Sequence, residues 1–200
     1  MSLTVNANAA STITPIPQGT YLAVCNMLVD LGVQYNETYK NSSRKVLIGW
    51  EIPEETILID GEEHSRTLSK RYTASLSESA NLRQDLAAWR GRDFTPDELA
   101  AFDLRNIVGT SCMINVIHRD SGGKTYANIQ SIMALPKGMP KGQLSENAIV
   151  FDLDTGDLDD IDKLPKWIAD IIKKSTTYQE RTLVPPAVEE FAEDDGELPF

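Results

Sequence analysis

The groupings in this chain that could carry covalent chemistry are few, and each lacks a part that its chemistry needs. His118-Arg119-Asp120 has the order of a phosphoryl-transfer catalytic loop, but Thr125 stands where a metal-binding Asn belongs and the surrounding pattern is a hairpin. Gly122-Gly123-Lys124-Thr125 ends like a phosphate-binding loop, yet His118 takes the place of its first glycine, so a tight turn explains these glycines better. Asp154-Thr155-Gly156 matches an acid-protease tripeptide but runs into an Asp-rich polar segment instead of an apolar strand. That segment, 152–162, places its glycine one position early for a calcium loop and supplies no bidentate Glu. His64 and His118 have no neighbours at ligand spacing. Cys25 and Cys112 lie in apolar runs without CxxC spacing, as reduced core thiols of a cytoplasmic protein do. No Ser/His/Asp or Cys/His grouping stands out, so the sequence predicts no enzyme, no metal and no cofactor.

Non-covalent chemistry is better represented. Tyr35, Tyr39, Lys40, Arg44 and Lys45 cluster in one stretch, Arg66, Lys70, Arg71 and Tyr72 in a second, and Arg119, Lys124 and Tyr126 in a third. Flat rings that stack bases, interleaved with cations that track phosphates, are what unpaired nucleic acid requires. Each stacked base contributes roughly 1–3 kcal/mol, and each neutralised phosphate adds about 0.7 to the salt slope on a single strand. Two or three rings with four or five cations would hold a strand without reading its sequence. The same composition also fits ordinary surface charge and core-filling tyrosines. Trp50 and Trp89 sit in apolar stripes and are expected in the core.

The last stretch is of another kind. Residues 189–200 carry six carboxylates and no basic residue, and close on Leu198-Pro199-Phe200. Mutual repulsion and few buriable side chains argue against a packed structure there. An acidic peptide that ends on an aromatic residue suits capture by a basic, apolar pocket on another protein, with Asp194, Asp195, Glu197, Leu198, Pro199 and Phe200 as the captured tip.

Elements that would position these residues can be read from periodicity. Residues 1–18 are small and polar and broken by Pro15 and Pro17, and read as a mobile arm. Tyr21–Val29 reads as a mostly buried strand, and 40–43 as a turn. Val46, Ile48, Trp50 and Ile52 alternate with Lys45, Leu47, Gly49 and Glu51, which predicts a half-buried second strand. Arg66–Leu76 predicts a third strand with Arg66, Leu68, Lys70 and Tyr72 on one face. Leu82, Leu86 and Trp89 mark a helix ended by Gly91, and Thr95-Pro96-Asp97-Glu98 is a capping box that opens a short one. Val108–His118 and Lys124–Leu135 form the clearest hairpin, with Ala127, Ile129 and Met133 inward and Lys124, Tyr126, Asn128 and Gln130 outward. Leu164, Trp167, Ile168, Ile171 and Ile172 predict a short amphipathic helix, too short to stand alone, that docks on a partner or, the favoured expectation, on the body.

The predicted fold is mainly β with short helices. Three strands, a helical connection and two strands give the order of a five-stranded OB-fold antiparallel barrel. The predicted organisation is an arm at 1–18, the barrel at 19–150, an acidic segment with a helix at 151–182, and a disordered tail at 183–200. The net charge of −11 does not argue against a nucleic-acid partner for the body, because residues 151–200 hold 5 basic and 14 acidic side chains. The first residues lack a signal-peptide pattern and no run approaches a membrane span, so a soluble cytoplasmic protein without a membrane partner is expected.

A basic, aromatic OB-like body followed by Asp194-Asp195-Gly196-Glu197-Leu198-Pro199-Phe200 resembles the single-stranded DNA-binding proteins of bacteria and their phages. Trp89-Arg90-Gly91-Arg92 and Gly123-Lys124-Thr125-Tyr126-Ala127-Asn128-Ile129 resemble the phage-encoded versions. The resemblance implies a protein that coats single-stranded DNA in replication and recombination, in the cytoplasm of a bacterial host. It implies recruitment of replication, recombination and repair enzymes through the acidic tip, and leaves room for a homo-oligomer. The linker departs from the family in being short and acidic, and 137–180 has no clear counterpart. Two other readings fit the same residues. One is an acidic adaptor or DNA mimic whose 152–162 and tail occupy another protein's nucleic-acid site. The other is an RNA-binding OB module.

Overall fold

The computed structural model describes residues 14–146 and 148–183. Its strands are β1 (Gly19–Asn36), β2 (Asn41–Ile59), β3 (Glu62–Thr73), β4 (Ser111–Ser121), β5 (Lys124–Met133) and β6 (Ile149–Phe151). Between β3 and β4 lie the helices α1 (Asn81–Arg90) and α2 (Pro96–Ala100). After β6 come α3 (Lys166–Lys173) and α4 (Thr176–Leu183). The sheet order is β3-β2-β1-β4-β5, antiparallel throughout, and β6 adds in parallel to β1 at Met27–Val29, beyond the point where β4 leaves that edge. β3 and β5 approach each other, but no ladder joins them, so the sheet is open and the closed barrel expected above is not made.

The alternation in β2 comes out on the predicted face. Val46, Ile48, Trp50 and Ile52 enter a core with Leu82, Leu86, Trp89, Ile114 and Ile132. Trp50 and Trp89 meet there with ring centroids 5.8 Å apart, and the Trp89 indole N–H donates to the Ser111 carbonyl at 3.0 Å. The expectation of a half-buried strand fails, because all of Val46–Ile52 is buried. A second core covers the other face, where Met27, Val29, Leu31 and Leu47 meet Phe151, Leu153, Ile161, Ile168 and Ile172. Sequence 149–183 therefore lies over the sheet as a lid. The predicted docking of the amphipathic helix is borne out, with Ile168 and Ile172 fully buried. Gly32 lies under this lid at φ +71°, where an added Cβ would fall 2.7 Å from both Leu153 Cδ2 and Ser175 Oγ. The ladder with β2 is irregular between Asp30 and Gly32, and the left-handed backbone and the close lid both call for glycine at this point.

Several boundaries differ from the sequence reading. β1 continues past Val29 to Asn36, since pairing with β2 carries its polar end. The turn falls at 37–40 and β2 already begins at Asn41. In β5 the register slips by one residue, with Asn115 opposite Ser131 and Val116 opposite Ile129, so Gln130 has no partner. That bulge reverses the parity beyond it. Ile132 is buried and Met133, expected inward, is exposed. Of the arm expected over 1–18, residues 14–18 are described, and there Ile16 is buried in the first core with its carbonyl 2.8 Å from His118 Nε2, while Thr14, Pro17 and Gln18 are exposed. Both cysteines are buried free thiols, and burial pushes the Cys25 thiol up to about 12. Among the described residues no helix is long and apolar enough to cross a membrane.

Candidate nucleic-acid interface

β1 and β2 meet at the 37–40 turn, and four residues into β2 the register sets Lys45 opposite Thr73 of β3. The Lys45 ammonium donates to Thr73 Oγ1 at 2.7 Å and makes no ion pair among the described residues. Two residues back along β3, Arg71 is exposed on the same face. Lys70 and Tyr72 alternate onto the opposite face, towards α1. A single oxygen, Asp85 Oδ2, accepts from Lys70 Nζ at 2.6 Å and from the Tyr72 hydroxyl at 2.7 Å.

Tyr72 therefore does not serve as the stacking ring that the sequence suggested. It is 3% exposed in the first core, and burial together with the Asp85 carboxylate pushes its hydroxyl well above the usual phenol range. Its β-strand parity is the physical reason. The face that holds Arg66, Leu68, Lys70 and Tyr72 is turned to α1 and the core, and Lys70 reaches outward only along its stem.

β3 and the loop that follows it enclose a cleft of about 390 Å³. Lys45 and Arg71 supply its free charge, the Asp85-paired Lys70 also lines it, and Thr73, Ser75, Ser77 and Ser79 give its hydroxyls. No carboxylate is among its lining residues, in a chain whose net charge is −11. α1 begins at the same cleft and its N-cap, Ala80, offers no side-chain acceptor. At the adjoining turn Tyr39 and Tyr35 are 76% and 60% exposed, and Lys40 holds a left-handed conformation at φ 50°. Rings and cations from the first two sequence clusters thus share one end of the sheet. The serines were not anticipated. Their Ser-x-Ser-x-Ser spacing after a strand end was the available signal.

The other expected residues go elsewhere. Arg44 is held by Asp30 and by Asp154, the latter at 2.7 Å, and its pKa rises chiefly through the hydrogen bond to Asp30. Arg66 donates to the Thr14 carbonyl at 2.7 Å. Arg119 and Tyr126 are cross-strand partners, with Tyr126 half exposed and Lys124 at the turn. This third cluster lies at the far end of the sheet, because β1 runs from its pairing with β4 towards the 37–40 turn. The captured tip, Asp194, Asp195, Glu197, Leu198, Pro199 and Phe200, lies outside the described residues.

Asp154-Thr155-Gly156 also receives a structural account. Asp30, Asp152 and Asp154 bring carboxylate oxygens within 4.8 Å of one another at the mouth of a cavity of about 280 Å³ floored by Leu28, Val46 and Phe151. The Arg44 guanidinium sits between two of them and holds the Asp154 carboxyl below its ordinary range. Asp152 also accepts the Asp154 backbone N–H at 2.9 Å through its side chain and the Gly156 N–H at 2.8 Å through its carbonyl. This is a turn built around an ion pair. No protein-family model matches the chain, and no curated protein is matched by its sequence.

Proposed function

We propose that the chain is a non-sequence-specific single-stranded DNA-binding protein of the phage type, which coats exposed strands during replication and recombination. The observation that carries this reading is the cleft in which Lys45 and Arg71 stand without an ion pair among the described residues, at the same end of the sheet as the exposed rings of Tyr35 and Tyr39. An acidic chain that keeps one end of its sheet cationic, ringed and lined with hydroxyls favours a polyanion with stackable bases. The strand order supports an OB-type body, with β3 and β5 as the neighbours that would close it and the helices between β3 and β4. Lys40, Lys45 and Arg71 are the phosphate contacts, Tyr35 and Tyr39 the stacking platforms, and Arg119, Lys124 and Tyr126 an outlying contact for a longer strand. Residues 194–200 serve as the recruiting tip for replication and repair enzymes.

Fluorescence anisotropy with labelled oligo(dT), oligo(U) and duplex DNA at two salt concentrations tests the assignment. Oligo(dT) is expected to bind most tightly, with a salt slope near 2 for three neutralised phosphates at about 0.7 each. Equal or tighter binding of oligo(U) would make the chain an RNA module. Binding to none of the three would sink the nucleic-acid reading.

A further inference from the structure

β2 is the longest strand, and its two ends differ in both charge and polarity. At the β2–β3 end, residues 54–63 carry five carboxylates and no cation. Asp60 at φ 53° and Gly61 at φ 89° make the tight turn, and the Thr56 hydroxyl donates to Glu63 at 2.8 Å across the hairpin. At its tip Leu58 is 73% and Ile59 50% exposed. Adjacent aliphatic side chains this open, ringed by Asp60, Glu62 and Glu63, form an apolar point in a negative collar. At the β1–β2 end the balance is reversed, with the open rings of Tyr35 and Tyr39 near three cations, Lys40, Lys45 and Arg71, and one carboxylate, the exposed Glu37 of the turn.

We infer that the β2–β3 hairpin of one copy docks on the β1–β2 end of a second copy, aliphatic tip on tyrosine rings and carboxylates on cations. Charge and polarity match in the same sense, which is the requirement for a specific contact. The tip and the receptor lie at opposite ends of β2, a strand of 19 residues with a contour of at most about 60 Å, so the contact is made between molecules. The contact is heterologous, so each copy keeps one free tip and one free receptor, and assembly extends into chains or a ring. It does not rest on the nucleic-acid reading, although a bound strand would compete for the same cations.

Sedimentation velocity of the full chain over a concentration series, at roughly 0.1 M and 1 M salt, reads the contact where charges are felt over about 10 Å and about 3 Å. Mass is expected to climb with concentration at the lower salt, with association about tenfold weaker at the higher. Glu62→Lys with Glu63→Lys on the tip, or Lys40→Glu with Lys45→Glu on the receptor, each abolishes the climb. Mixing the two variants restores it, because each then supplies the surface the other lacks. A monomer at every concentration overturns the inference, as does association that survives both pairs of substitutions. Association lost only when residues 189–200 are deleted assigns the receptor to the tail and overturns it equally. Self-association without any oligonucleotide binding would leave this contact standing and remove the function proposed above.

Discussion

Arg71 and Tyr72 are neighbours in sequence with opposite fates, and the difference is one of strand parity. Arg71 stands in the cleft with no ion pair among the described residues, while Tyr72 is sealed behind it with its hydroxyl on Asp85. Arg71→Ala is expected to weaken oligo(dT) binding and to lower the salt slope by about 0.7, with stability unchanged within about 0.5 kcal/mol. Tyr72→Phe removes one buried hydrogen bond and is expected to cost about 1 kcal/mol in urea unfolding while leaving affinity alone. The reverse pattern, affinity lost at Tyr72 and kept at Arg71, would put the strand on the other face of β3. The two side chains were equal candidates in the sequence because alternation identifies two faces without saying which one α1 will cover. The same limit applied to Arg44 and Arg66, whose cations looked free until Asp30, Asp154 and the Thr14 carbonyl were brought to them.

At the scale of elements, local signals were legible and covering segments were not. The α2 capping box is present in full, with Thr95 and Glu98 satisfying each other's backbone N–H groups. Gly91 ends α1 in the left-handed conformation, at φ 69°. These motifs need only four or five adjacent residues. The lid over 149–183 needed Leu47 and Met27 to be matched with Ile161 and Ile172 more than 100 positions away, and no local pattern encodes that pairing. The bulge at Gln130 was invisible for a related reason, since parity holds only while both strands advance together. Glu98 does more than cap. It also accepts from Arg92, at 2.6 Å and 2.9 Å, and from Arg90, whose guanidinium lies over the Phe94 ring at 4.3 Å. The hydrogen bonds from Arg92 and from the Thr95 N–H are the leading reasons its carboxyl drops from 4.5 to about 2. A carboxyl depressed on folding contributes stability that is complete above its unfolded value and is lost as pH falls through its folded one. The melting temperature should therefore decline between pH 4.5 and about 2 through this group. Glu98→Gln keeps the capping oxygen and loses the charge, so its melting curve should sit lower at neutral pH and converge with the parent's near pH 2. Parallel curves across that range would show that the charge at Glu98 does not couple to folding.

Charge is divided along the whole molecule in a way that no single element explains. The lid and tail together hold most of the acidic excess, while Lys45 and Arg71, which make no ion pair among the described residues, stand in one cleft near the β1–β2 end of the sheet. A tethered acidic segment is a permanent local competitor for such a cleft, present at an effective concentration of about millimolar. If its own affinity is also about millimolar, it occupies the cleft roughly half of the time, and removing it should tighten oligo(dT) binding about twofold. The effect is electrostatic, so it should fade as the screening length falls from about 10 Å at 0.1 M salt to about 3 Å at 1 M. Deleting residues 189–200 and repeating the titration at both salts checks this directly. Tightening at low salt alone identifies competition for the cleft. Tightening that persists at high salt would locate the tail's effect in packing against the body instead of in charge. Weaker binding after deletion would mean that the tail assists the strand, which is incompatible with a negative segment and a polyanion sharing the same cations.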